Sequence, residues 1–281
     1  MRTSTTISRR NRSGFLRALG VDLRRAVLSC RFLMTIVLLL AWMLYNSAKP
    51  LFVNKTLFTS GISYVLSVAA DGSLGLGMLM LSIATVPYAT SYLVDRECGF
   101  DRHAIERVGF TAYSVSRVIS VVLSAFLAFV IAGGLFLLGL ILTGAPQVIP
   151  QPEEYLNCVY SDLAVTVGPW CYYLVRFTLS GLTCAMAAVF SLFVTTLFPN
   201  RYVALLSPLV ASYAYAPLLY IFYLIFGDQP VFHLLNLDYV ITIQVSQDNG
   251  FSFLWAVVYQ LTVIILCGRG FCHRLRKEQG L

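Results

Sequence analysis

The sequence predicts an all-α polytopic membrane protein with six transmembrane helices and an N-terminal amphipathic interfacial helix. Three observations carry that prediction. The 281 residues are 58% hydrophobic and only 12% charged, against roughly a quarter charged in a soluble domain, and mean hydropathy is +0.76. Apolar runs near the length of about 20 residues that crosses a bilayer as a helix fall at 32–52, 73–94, 116–142, 172–198, 202–226 and 251–268. Lys and Arg gather on alternate sides of those runs, 17 of 20 on one face.

The first 31 residues are a basic tail followed by an amphipathic stretch. Arg10, Arg17, Arg24 and Arg31 recur every seven residues, and Phe15, Leu16, Leu19, Leu23, Ala26 and Val27 fall on the opposite arc. This pattern suits a helix lying flat at the membrane surface, with Arg toward lipid headgroups. The first apolar run follows directly and has no small-residue cleavage site, so it reads as a retained span.

Residues 32–268 form the six-helix domain. Lipid offers no partner to a backbone amide, so every span is helical. Pro87, Pro208 and Pro217 fall inside predicted spans, where a missing N–H kinks a helix. Ser180, Cys184 and Ala188 repeat every four residues, beside Gly181 and Ala185, and suit close helix packing. The Gly75-Leu76-Gly77 pair has no strand before it and reads as a packing element. Tyr213, Tyr215 and Tyr220 either line a substrate path or pack the core and interface. Residues 269–281 are a second basic tail.

Orientation follows from the positive residues. Eight precede the first span, four lie in the 95–117 loop, one is Arg201 and four follow residue 268. Both termini are therefore expected in the cytoplasm, with outer loops at 143–171 and 227–250 that hold no Lys or Arg. Multiple Arg-rich inner segments suit a bacterial plasma membrane. Because the charge sits at helix ends on one face, the net +7 predicts anionic lipid rather than nucleic acid as its counterpart.

Several chemistries lack their residues. No ionisable side chain falls near a predicted midplane, where proton and ion paths place them; Lys49, Asp71, Arg117 and Arg176 lie near span ends. HExxH, GxSxG and the GxxxxGK[ST] phosphate loop are absent, so no catalytic or metal residue is expected and this chain holds no cofactor. The seven Cys form no CxxC pair. Cys158 and Cys171 fall in or beside one predicted outer loop, either as a disulfide or as two free thiols.

The 95–117 loop packs charges of both signs between two spans. In order, Asp95, Glu97, Gly99, Arg107, Tyr113 and Arg117 resemble the permease subunits of ABC-2 type transporters. The layout is similar over nearly the whole chain, including the short inner turn at 199–201 and the apolar outer segment before the last span. The resemblance implies that residues 231–245 dip back into the membrane. It implies a coupling helix over 96–112, with Asp95, Arg96, Glu97, Gly99, Arg102, Glu106 and Arg107 meeting a separate ATPase subunit that holds ATP and Mg. It further implies a second permease chain, identical or related, and export of an amphipathic or hydrophobic substrate such as a peptide, drug or lipid. A second reading of the same chain is an ATPase-independent transporter, or an immunity or scaffold membrane protein.

Overall fold

The computed structural model describes residues 3–55, 57–71, 79–148, 160–226 and 249–279. Every regular element among them is helical. α1 spans Thr3–Val27 and α2 spans Cys30–Asn46. α3 (Leu57–Asp71), α4 (Leu79–Thr85), α5 (Ser91–Glu97) and α6 (Phe100–Val108) lead to the long α7, Phe110–Leu142. A short α8 (Ser161–Thr166) precedes α9 (Pro169–Leu197), α10 (Arg201–Phe226) and α11 (Asn249–Glu278).

Three of these helices are long and apolar enough to cross a membrane: α7, α9 and Gly250–Glu278 of α11. Phe15–Val27 with Cys30–Asn46 makes a fourth if the two are one span bent by 51°. The protein is thus a helical, membrane-embedded chain with three or four candidate spans among its described residues. The bend lies at Ser29, whose extended backbone (ψ 148) interrupts the helix. Its Oγ donates to the Ala26 carbonyl (2.9 Å) and accepts from the Phe32 amide (3.2 Å), so one side chain ends α1 and caps α2.

Other boundaries differ from the sequence reading for local reasons. The first predicted span, 32–52, stops at Asn46. Ser47 closes α2 by donating its amide (3.0 Å) and hydroxyl (2.7 Å) to the Met43 carbonyl, and a π-turn over Lys49–Val53 follows, with Pro50 in its first turn. The second, 73–94, is divided. Its first residues, with the Gly75–Gly77 pair, lie outside the described set, and the rest forms α4 and α5 around the turn at 86–90. Pro87 has no amide to continue α4. α7 begins at Phe110 instead of 116, and the basic C-terminal stretch continues α11 as one helix to Glu278. The 231–245 segment, Cys158, residues 149–159 of the first outer loop and nearly all of the second lie outside the described residues.

α9 is the centre of the bundle. Of its most apolar stretch 72% is buried, against 44% for α7 and 22% for α11, and α7, α11, α10 and α4 pack around it. Small residues allow this. Ser180, Cys184, Ala185 and Ala188 are all buried. Gly181 admits the Phe126 ring of α7, which would stand 2.8 Å from an added Cβ, and Gly133 of α7 admits Phe177 of α9 at 2.7 Å. Each helix thus carries a glycine notch that takes the other's phenyl ring. Polar clamps join the remainder: Gln260 Nε2 of α11 donates to Thr183 Oγ1 (2.9 Å), and Ser191 Oγ donates to the Ala204 carbonyl of α10 (2.6 Å).

α3 breaks at Gly61, whose backbone (φ 84, ψ 168) lies where L side chains are strained. The freed amides of Ile62 and Ser63 donate to the carbonyls of Pro146 (3.0 Å) and Gln147 (3.1 Å) beyond α7. Gly181→Val should displace Phe126 and lower thermal stability in detergent by roughly 1–3 kcal/mol. Gly134→Ala, where nothing stands within 4 Å, should leave it unchanged or slightly raised.

Candidate functional site

The charged end of the bundle is organised around Arg117. It lies seven residues into α7, about 10 Å along the axis, and is 1% exposed. The sequence reading placed it near a span end; the earlier start of α7 puts it two turns inside. Arg176 is likewise 2% exposed, seven residues into α9. A buried guanidinium must be both paired and hydrogen-bonded, and the residues that meet this need come from three elements.

On α7, Tyr113, Ser116 and Arg117 fall at i, i+3 and i+4 and share a face. Tyr88, Ser91 and Asp95 fall at i, i+3 and i+7 along the turn and α5. α1 supplies Asp22. Arg117 Nη1 donates to the Tyr88 hydroxyl (2.8 Å) and to Ser91 Oγ (2.9 Å). Nη2 donates to the Tyr113 hydroxyl (3.2 Å) and to the Asp95 carboxylate. Asp22 stands 3.8 Å from the same nitrogen and accepts from Tyr88 (2.9 Å) and Ser116 (2.9 Å). The Tyr88 and Tyr113 rings lie 5.1 and 5.2 Å from the guanidinium carbon, within cation–π range.

A second, more exposed ring surrounds this centre. Arg25 of α1 stands 3.8 Å from Asp95 and stacks over Phe100 of α6 at 4.6 Å. Arg96 pairs with Glu278 at the end of α11 (3.4 Å), which also accepts from the Tyr92 hydroxyl (3.0 Å). Arg201, at the start of α10, pairs with Glu97. α5 is therefore joined by side chains to α1, α7, α10 and α11.

The expected coupling residues separate into two groups. Asp95 is internal, held by Arg117. Arg96 and Glu97 are half-exposed and paired. Gly99 adopts the left-handed conformation (φ 67) between α5 and α6, and Gly109 (φ 91) separates α6 from α7. A side chain would be strained at either place. Between them α6 buries Asp101 and exposes His103, Glu106 and Arg107. The side chain of Arg102 is outside the described set. The three tyrosines do not share one lining. Tyr215 borders a cavity of about 150 Å³ with Met186, Phe190 and Tyr259, while Tyr213 and Tyr220 are exposed on the outside of α10.

Asp22, Tyr88, Ser91, Ser116 and Glu278 were not singled out from sequence. One signal did exist: Asp22 is the only acid before Asp71, inside an arginine-rich helix. Among the described residues no group of three His, Cys, Asp or Glu side chains is placed to hold a metal ion. The arrangement is an electrostatic joint: one buried cation, two carboxylates and four hydroxyls fixing three helical segments at their charged ends.

No family model, curated protein or solved structure matches this chain.

Arg117→Met should lower stability by about 3–5 kcal/mol, because it leaves Asp22 and Asp95 facing an uncharged neighbour. Adding Asp22→Asn should recover part of the loss, so that the double variant melts above the sum of the single effects in a thermal unfolding cycle.

Proposed function

We propose that the chain is the membrane-spanning permease subunit of an ATP-driven ABC exporter for an amphipathic or hydrophobic substrate. One observation supports this most: α5 and α6 form an elbow whose charged side chains reach the ends of α1, α7, α10 and α11. A push on such an elbow is passed to four helices at once, as a chain that borrows mechanical work requires. His103, Glu106 and Arg107 give a separate ATPase a mixed-charge surface to grip. The glycine joints at 99 and 109 let α6 turn as a body against α5 and α7.

In this reading six spans cross the plasma membrane: α2, the split segment 73–94, α7, α9, α10 and α11. Both termini and the elbow face the cytoplasm, as the Lys and Arg distribution favours, and residues 231–245 re-enter from outside. Leu206, Val210, Ile221 and Ile225, exposed on α10, face lipid or a second permease chain. ATP and Mg are held by the partner ATPase.

The chain should copurify with an ATPase carrying a GxxxxGK[ST] loop. Glu97→Ala with Arg107→Ala should reduce substrate moved per ATP hydrolysed about tenfold in proteoliposomes of the complex, with the two subunits still folded. Unchanged coupling ratios would remove the elbow from the mechanism.

A further inference from the structure

α1 and α6 do not close on each other completely. Arg17, Val21 and Arg25 recur every four residues and share one row of α1. Phe100, His103 and Arg107 follow at i, i+3 and i+7 on α6. The two rows line a single groove of about 510 Å³. Its charge is one-sided. Asp22, the one carboxylate in the lining, is already satisfied by Tyr88, Ser116 and Arg117. Arg17 and Arg107 are exposed, and among the described residues neither is paired with an acid. Arg25 touches Asp95 at 3.8 Å and keeps 45% of its side chain exposed. Glu106, 3.9 Å from His103, is 77% exposed.

From Val21 in the groove, uncovered aliphatic residues continue along the chain. Leu16, Val21, Leu28, Leu33 and Val37 are each more than half exposed along the bend from α1 into α2. Cationic side chains at the mouth, followed by uncovered aliphatic residues, match one molecule: a phosphate with hydrocarbon chains attached. Inorganic phosphate would leave the aliphatic strip uncovered. An acidic protein segment would satisfy the arginines and leave the strip in the same state.

We propose that this groove is a specific site for one anionic membrane lipid. Arg17, Arg25 and Arg107 hold its headgroup phosphate, and its acyl chains lie along Leu28, Leu33 and Val37. The site depends on the chain being membrane-embedded; it shares His103 and Arg107 with the surface proposed for an ATPase, so it is tested on the chain without one.

The test uses the full chain alone, in phosphatidylcholine nanodiscs titrated with phosphatidylglycerol. Retained lipid is read by native mass spectrometry and stability by thermal unfolding. One phosphatidylglycerol should stay bound per chain and raise the unfolding temperature above that in phosphatidylcholine. Arg17→Gln with Arg107→Gln should weaken that binding about tenfold, while the matching pair of Arg→Lys changes keeps most of it. Arg24→Gln with Arg31→Gln, equal in charge but outside the groove, should have little effect. Equal retention of phosphatidylcholine, or equal losses in the two Gln pairs, would overturn the proposal. So would equal stabilisation by soluble glycerol phosphate, or displacement of the lipid by a polyglutamate peptide at matched concentration.

Discussion

A guanidinium removed from water governs this structure. Desolvating it costs several kcal/mol, and the fold offsets that by converging on Arg117 from three directions. Each contributor is placed by helical spacing: Tyr113 one turn before it on α7, Tyr88, Ser91 and Asp95 along one face of the α5 region, and Asp22 from α1. Because the hydroxyls and carboxylates also bond to one another, displacing any one leaves another unsatisfied. The position of α1 against α7, and of α5 against both, follows from that single requirement.

The strength of the polar contacts falls with distance from Arg117. The inner group is almost wholly buried, where electrostatic terms are large. The outer pairs, Arg201 with Glu97 and Arg96 with Glu278, keep about half to a third of their side chains exposed. Exposed pairs of this kind contribute from nothing to about 1 kcal/mol each. The joint is therefore held tightly at its core and weakly at its rim. Gly99 and Gly109 act on the backbone, because their positive φ sets the direction of α6 between α5 and α7.

Much of the architecture was legible from periodicity. The apolar runs locate α7, α9, α10 and α11, and the four-residue repeat of small side chains marks the face of α9 that packs most closely. The arginine heptad anticipates a helix before the first apolar run, although Leu16 joins the exposed arc and not the packed one. Local breaks were harder to read. Ser47 ends α2 through hydrogen bonds that hydropathy does not register, and Pro87 divides a run that composition alone leaves continuous. The buried centre was the least legible. Ser116 and Asp22 are 94 residues apart, and Arg117 sits close enough to a predicted span end to pass as solvated. Linear distance from a helix end is a poor guide to burial once neighbouring helices reach the same depth. The isolated acid at position 22 was the available clue, since a lone carboxylate among arginines gains most by leaving water with a partner.

α11 runs unbroken for 30 residues, about 45 Å at the helical rise. That exceeds a hydrocarbon core of about 30 Å by roughly three turns at a normal incidence, less if it slants. The surplus carries the helix past the apolar layer, where Phe271 and Leu275 stay buried against the bundle and Glu278 stands near the end. Its last turn is held there from outside the helix, because Glu278 accepts from Tyr92 and pairs with Arg96. Those two polar contacts thus fasten the overhang of α11 to α5.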